Sequence, residues 1–161
     1  MEKKVAFFDM DGTLIAPYFK TDNGQTVIGF MESEWIEFCN KRKEASYDYC
    51  IPMRRMLDVA KEMHDKGYDV KILTVTLSEG EVLAKKYWAK NNSAYCSIFS
   101  DVICVPNEDS KIEYIKSYIE DNNITPRNCI LVEDSFSTVL KAIPLDINAL
   151  HISNIYACLH I

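Results

Sequence analysis

The chain has 161 residues, 48% hydrophobic, 11% aromatic and 26% charged, which suits one domain of ordinary size with a real core and excludes a disordered tail or a disulfide-stapled miniature. Eighteen Lys and Arg against 24 Asp and Glu leave a net charge of −6, and without a basic run such a chain has little means of displacing counterions from a phosphate backbone, so nucleic acid is not an expected partner. No apolar run approaches the roughly 20 residues that span a bilayer, so no membrane association is expected either.

The opening, MEKKVAFFDMDG, breaks its apolar stretch at Asp9, too early for the core of a signal peptide. A cytoplasmic enzyme or binding protein is the expectation. Six cysteines (Cys39, Cys50, Cys96, Cys104, Cys129, Cys158) show no CxxC spacing, and three scattered His offer no zinc cluster. Reduced, structural thiols are expected, with Cys104 and Cys129 as small buried hydrophobes.

Along the chain, short β-like runs alternate with amphipathic segments, which implies parallel strands joined by crossover helices. VAFFD at 5–9 reads as the first strand. YFKTDNGQTVIG at 18–29 reads as a hairpin, because Asn23-Gly24 supplies the positive φ angles of a tight turn. Residues 32–44 read as one polar helix, so that 15–51 forms a flap and small cap inserted into the domain.

Met53, Met56, Leu57, Ala60 and Met63 recur at helical spacing. Strands follow at 69–74, 101–105, 129–132 and 149–152, with a helix marked by Ile112, Ile115 and Ile119. Ser78 with Glu81, and Ser110 with Glu113, have capping-box spacing and are expected to start helices just after strand ends. The expected fold is α/β: one domain over 1–161, with a doubly wound, mainly parallel five-stranded sheet and a small hairpin-plus-helix insertion.

Directly after the first strand stands Asp9-Met10-Asp11-Gly12-Thr13-Leu14. Residues two apart on an extended segment face the same side, so Asp9 and Asp11 can share one site at the carboxyl end of the strand, where open α/β sheets bind ligands. An EF-hand begun at Asp9 fails, with Leu14 and Lys20 where Gly and Glu are needed. The five glycines form neither GxGxxG nor a Walker loop.

FFDMDGTL resembles the first motif of the haloacid dehalogenase-like superfamily, most of whose members are phosphohydrolases. The later motifs can be sought in order. A strand ending in Thr is matched at Thr74, with Thr76 as the alternative, a Lys near the start of a helix at Lys111, and an acidic pair after a strand at Glu133-Asp134. The resemblance runs from about residue 4 to 152. A receiver domain of phospho-aspartate signalling also uses Asp, Thr and Lys, but carries its Asp on a middle strand rather than the first.

A phosphate dianion near Asp9, Asp11 and Asp134 would meet several like charges, each worth about 4 kcal/mol at about 4 Å for an effective dielectric near 20. A divalent cation is therefore expected, and oxygen-only ligands beside a phosphate suit Mg2+. The resemblance implies that it is held by the Asp9 carboxylate, the Asp11 backbone carbonyl and the Asp134 carboxylate, with Glu133 beside or behind them. It implies also that Asp9 is the nucleophile forming an aspartyl-phosphate, Asp11 the acid and base, and Thr74 and Lys111 the phosphate holders. The substrate expected is a small phosphorylated metabolite such as a nucleotide or sugar phosphate.

A phosphotransferase or phosphomutase shares every motif, and a catalytically silent binding protein is the third reading. The small lid leaves the site open, and the resemblance implies that an open site either takes large substrates or is closed by a second copy of the chain. Tyr18, Phe19, Lys20, Trp35, Lys41 and Arg42 are candidate substrate contacts, with helix packing or solvated surface as equal alternatives. His151, at the end of the last strand, is a weak candidate base because the aspartates already cover that chemistry, and His64 and His160 carry no signal.

Overall fold

A computed structural model describes residues 2–91 and 94–157; Cys158 and His160 lie outside the described residues. In chain order the elements are β1 (Val5–Phe8), β2 (Ile15–Ala16), β3 (Phe19–Lys20), β4 (Thr26–Val27), α1 (Glu32–Arg42), a 3-10 turn at Lys43–Tyr47, and β5 (Ile51–Pro52). There follow α2 (Arg54–Asp65), β6 (Asp69–Val75), α3 (Glu79–Asn91), β7 (Asp101–Val105), α4 (Glu108–Asn122), β8 (Cys129–Glu133), α5 (Phe136–Ala142), β9 (Asn148–His151) and α6 (Ile152–Ala157). No described helix is long and apolar enough to cross a membrane.

The main sheet has five strands in the order β7-β6-β1-β8-β9, and every pair is parallel. The chain winds outward from β1 through β6 to β7, then returns to the other side of β1 to lay down β8 and β9. The order therefore reverses at β1 and β8, and such a switch point opens a crevice at the carboxyl ends of the strands.

All four residues of β1 are fully buried, as a central strand covered on both faces requires. Ala6 and Phe8 face one layer, built from Met56, Leu57 and Ala60 of α2 and Ala84 and Ala89 of α3. Val5 and Phe7 face the other, with Ile115 and Ile119 of α4 and Ala142 of α5. The period of two along β1 thus distributes its side chains between two cores.

Between β1 and α2, the paired strands β2 and β5 (Ile15 opposite Pro52, Ala16 opposite Ile51) bring the ends of the intervening segment together. The hairpin joins Phe19 to Val27 and Lys20 to Thr26, but positive φ falls on Gly24 alone, at 81°. Gly24 N–H donates to Thr21 O and Thr21 N–H to Gln25 O, both at 2.9 Å, so the loop is wider than a two-residue Asn-Gly turn. The polar helix stops at Arg42, two residues short of expectation, because Lys43 takes φ +49 and the chain tightens into the 3-10 turn. α1 then packs against α3 so closely that a Cβ on Gly80 would lie 2.4 Å from Cys39 O.

The expectations at the helix starts need one correction. Ser78 Oγ accepts from Glu81 N–H at 3.2 Å, while the Glu81 carboxylate reaches Leu77 N–H at 2.8 Å. Ser110, however, is not a cap: Asn107 is, its Oδ1 accepting from Ser110 N–H at 2.9 Å. A capping Asn satisfies the same orphan donor as Ser, and starting the helix earlier moves Lys111 to its fourth position.

Candidate active site

Asp9 extends the β1–β8 ladder by one residue, its N–H donating to Val132 O at 2.9 Å. The chain then doubles back, with Leu14 and Ile15 N–H both donating to Met10 O (2.9 and 3.1 Å) and Gly12 N–H to Ile15 O (2.8 Å). Met10 is fully buried, so Asp9 and Asp11 on either side of it turn away from the core toward the crevice. Gly12 is required here twice over. Its φ is +77, and a Cβ would lie 2.1 Å from Asp134 Oδ2, so only a hydrogen leaves room for that carboxylate.

Asp9, Glu133 and Asp134 each present a carboxylate oxygen, all within 4.8 Å of one another. Lys111 reaches into this group from α4, donating to Asp9 Oδ1 at 2.7 Å and Glu133 Oε2 at 2.8 Å, with Glu108 Oε2 at 3.3 Å. Glu133 Oε1 accepts from Ser135 N–H at 3.2 Å. Burial pushes Asp9 up to about 7; Lys111 pulls it down and Glu133 adds to the rise. Burial likewise pushes Glu133 up to about 7 against the pull of Lys111. Asp134 is also raised, first by burial and then by Asp9. Burial by itself would lower the Lys111 ammonium, but Asp9 and Glu133 hold it above its usual value.

Several carboxylates facing one ammonium is a charge deficit, and an oxygen-only donor set of this kind fits a hard divalent cation. The Asp11 side chain stands apart from that cluster. Its Oδ2 meets Lys85 Nζ at 2.6 Å and accepts from the Tyr47 hydroxyl at 3.3 Å. Lys85 also donates to Thr74 Oγ1 at 2.8 Å and Val75 O at 2.6 Å, and pairs with Glu81 Oε1 at 3.0 Å. Thr74, near the end of β6, is thereby tied to Asp11 through one ammonium. Thr76 lies past the strand, its N–H donating to Val105 O at 2.9 Å.

Lys85 and Tyr47 escape the sequence reading, and Glu81 enters it only as a helix-capping residue. Glu81 and Lys85 have the spacing of an i,i+4 ion pair, ordinarily a solvated feature of a helix surface, yet their side chains are only 4% and 1% exposed. Burial alone would lower the Lys85 ammonium; Asp11 and Glu81 hold it above its usual value. Burial, then the Asp11 charge, keeps the Tyr47 hydroxyl well above its ordinary range.

Of the candidate substrate contacts, Phe19 and Trp35 belong to an aromatic cluster with Phe30, Phe38 and Tyr47; the Phe19 and Trp35 rings are 4.8 Å apart. A cavity of about 170 Å³ lies between Asp11 and Phe19, Phe30 and Trp35, with Ile28 also lining it. Lys41 and Arg42 both pair with Asp22, and Lys20 lies over the Tyr49 ring at 4.9 Å. A larger cavity of about 440 Å³ touches Tyr47, Tyr87 and Trp88, but its lining includes none of the clustered carboxylates. His151 Nε2 is 2.8 Å from Asp134 O, in the loop after β8, and its Nδ1 2.6 Å from Ser153 Oγ at the start of α6, so both ring nitrogens are engaged.

No protein-family model matches the chain, and no curated protein matches it. Solved structures do. A haloacid dehalogenase-like family hydrolase from Streptococcus pneumoniae is 16% identical, with a TM-score of 0.60 over 92% of this chain and 84% of that one. A HAD family enzyme from Bacteroides thetaiotaomicron, in complex with magnesium and inorganic phosphate, is 16% identical over 92% of this chain and 93% of its own, with a TM-score of 0.55. The phosphatase-domain part of a Bacteroides fragilis protein, complexed with Mg, is 13% identical over 92% of this chain and 36% of its own, with a TM-score of 0.53. The chain has the haloacid dehalogenase-like α/β fold.

Proposed function

We propose that the chain is a Mg2+-dependent phosphohydrolase of the haloacid dehalogenase-like superfamily, hydrolysing a phosphate monoester through an aspartyl-phosphate on Asp9. The observation that carries this reading is the group of Asp9, Glu133 and Asp134 oxygens within 4.8 Å of one another, with Lys111 bridging Asp9 and Glu133 at the switch point of a parallel sheet. Similarity to structures holding magnesium, or magnesium with phosphate, supports it.

Asp9 attacks phosphorus while the bond to the leaving oxygen breaks. The electron pair of that bond takes a proton from Asp11, giving the free alcohol and a phosphorylated Asp9. Asp11, now a carboxylate, removes a proton from water as its oxygen attacks the same phosphorus, and the Asp9 carboxylate departs with phosphate released. Lys111 holds Asp9 in line and Thr74 donates to a transferring oxygen. Asp9, Asp134 and the Asp11 carbonyl, with Glu133 alongside, would hold Mg2+, which when bound offsets the clustered negative charge and polarises the phosphoryl group.

Within this reading, the walls of the cavity beside Asp11 favour a flat, apolar leaving group over a sugar. Apart from Asp11 and the Trp35 indole N–H, its lining residues (Pro17, Phe19, Ile28, Gly29, Phe30) offer no polar side-chain group to sugar hydroxyls. Its size is comparable to a cavity of about 150 Å³ that takes a benzene ring.

The direct test is phosphate release from p-nitrophenyl phosphate. Activity is expected with Mg2+, none with EDTA, and a fall of about 10⁴-fold or more in Asp9→Asn, which removes the nucleophile. Full activity of that variant would refute the mechanism.

A further inference from the structure

Lys85 is 1% exposed and takes no part in the chemistry above. An ammonium has three N–H donors and no acceptor, and four oxygens surround this one: Asp11 Oδ2 and Val75 O at 2.6 Å, Thr74 Oγ1 at 2.8 Å and Glu81 Oε1 at 3.0 Å. Its donors are committed to the protein, and none is left for a phosphoryl oxygen.

Being unable to accept has two consequences. Thr74 Oγ1 must accept from Lys85, so the single hydroxyl hydrogen of Thr74 points elsewhere. Asp11 Oδ2 accepts from both Lys85 and Tyr47, so a proton carried by Asp11 sits on Oδ1, which has no protein partner among the described residues. Glu81 keeps the ammonium in place, anchored itself by Leu77 N–H at 2.8 Å.

We infer that Lys85 is a positioning residue that sets two hydrogens at once, the Oδ1 proton of Asp11 toward the leaving oxygen and the Thr74 hydroxyl hydrogen toward the transferring phosphoryl group. The inference rests on the phosphohydrolase reading. A leaving group that departs readily as an anion needs the Asp11 proton least, and a poor one needs it most.

p-Nitrophenyl phosphate and benzyl phosphate both bring an aromatic ring to the same cavity but differ in this need. The variant combines Lys85→Met with Glu81→Gln, which removes the ammonium without stranding a buried carboxylate and keeps the carbonyl that caps Leu77 N–H. Its kcat on benzyl phosphate should fall roughly 10²-fold further than on p-nitrophenyl phosphate, the scale of general acid catalysis. Its affinity for inorganic phosphate with Mg2+, read by calorimetry, should fall about fivefold as Thr74 loses its orientation, about one hydrogen bond's worth. Lys85→Arg, another donor-only cation, should restore part of both.

Equal losses on the two esters, no loss, or an Arg variant as deficient as the double variant would overturn the inference while leaving the hydrolase reading intact. A wild-type protein that cleaves neither ester would overturn both. Should melting curves show the double variant unfolded, Lys85→Arg carries the same comparison, with an ester-selective loss supporting the inference and a uniform one overturning it.

Discussion

The site holds two buried ammonium groups that arrive from opposite faces of the sheet. Lys111 comes from α4, on the Val5 and Phe7 side, and meets Asp9, Glu133 and Glu108. Lys85 comes from α3, on the Ala6 and Phe8 side, and meets Asp11 and Glu81 together with the neutral Thr74 and Val75 oxygens. The first sets Asp9, Glu133, Glu108 and the neighbouring Asp134 against one ammonium, where the second sets only Asp11 and Glu81, and burial drives Asp9 and Glu133 up to about 7 in the first. The other is a hydrogen-bonding cradle. In the proposed reading a divalent cation is held by the first, while the second requires only that its donors and acceptors stay in place.

The largest expected effect of breaking this contrast is at Lys111. Lys111→Met leaves Asp9 and Glu133 facing each other without a cation, and removing one partner of a buried ion pair costs about 3–5 kcal/mol. Denaturant unfolding without Mg2+ should show that loss, and Mg2+ should recover much of it. Activity should fall at least about 10³-fold.

Next comes the pH dependence of stability without divalent cation. Asp9 and Glu133 have folded-state values raised to about 7 from 3.8 and 4.5, so between about pH 4 and pH 7 the folded state binds more protons than the unfolded one. Stability therefore falls as pH rises through that window. Melting temperature should drop from pH 5 to pH 8 without Mg2+, and saturating Mg2+ should raise it most at pH 8. A melting temperature that rises steadily over this range without Mg2+ would contradict the raised values.

Gly12→Ala is expected to have a smaller effect. The new Cβ meets Asp134 Oδ2 at 2.1 Å on a backbone with φ +77, so the carboxylate must move and the turn is strained by about 1–3 kcal/mol. Mg2+ affinity should weaken about tenfold or more, with a lower melting temperature. The smallest effect is expected for Trp35→Ala, which thins the aromatic wall: KM for benzyl phosphate should rise about three- to tenfold, with little change for acetyl phosphate.

The five main strands could be read within a residue or so, because each is a short apolar run bounded by turn residues, with β1, β6 and β8 mostly buried and the edge strands β7 and β9 partly exposed. The Asp9, Asp11, Thr74, Lys111 and Glu133-Asp134 series came instead from the resemblance of FFDMDGTL to a family's first motif and from that family's motif order, which suits a parallel α/β sheet because residues after successive strands converge at one edge. The start of α4 was misplaced, since Asn107 and Ser110 are both competent caps and only the observed hydrogen bond chooses between them. The 3-10 turn that delivers Tyr47 had no periodicity to announce it.

Strand positions and the parallel α/β class were thus determined by the sequence itself, through local hydrophobic pattern, while the order β7-β6-β1-β8-β9 is a property of the tertiary structure. Which lysine joins Asp11 was decided only by the tertiary structure. Lys85 and Lys86 stand side by side with the same chemistry, yet one is buried against the strand ends and the other is exposed. Successive helical residues point about 100° apart, so the seating of α3 against the sheet and the α1 segment, held by the close approach at Gly80, selects between them. That selection depends on contacts between elements far apart in the chain, which no local pattern in the sequence records.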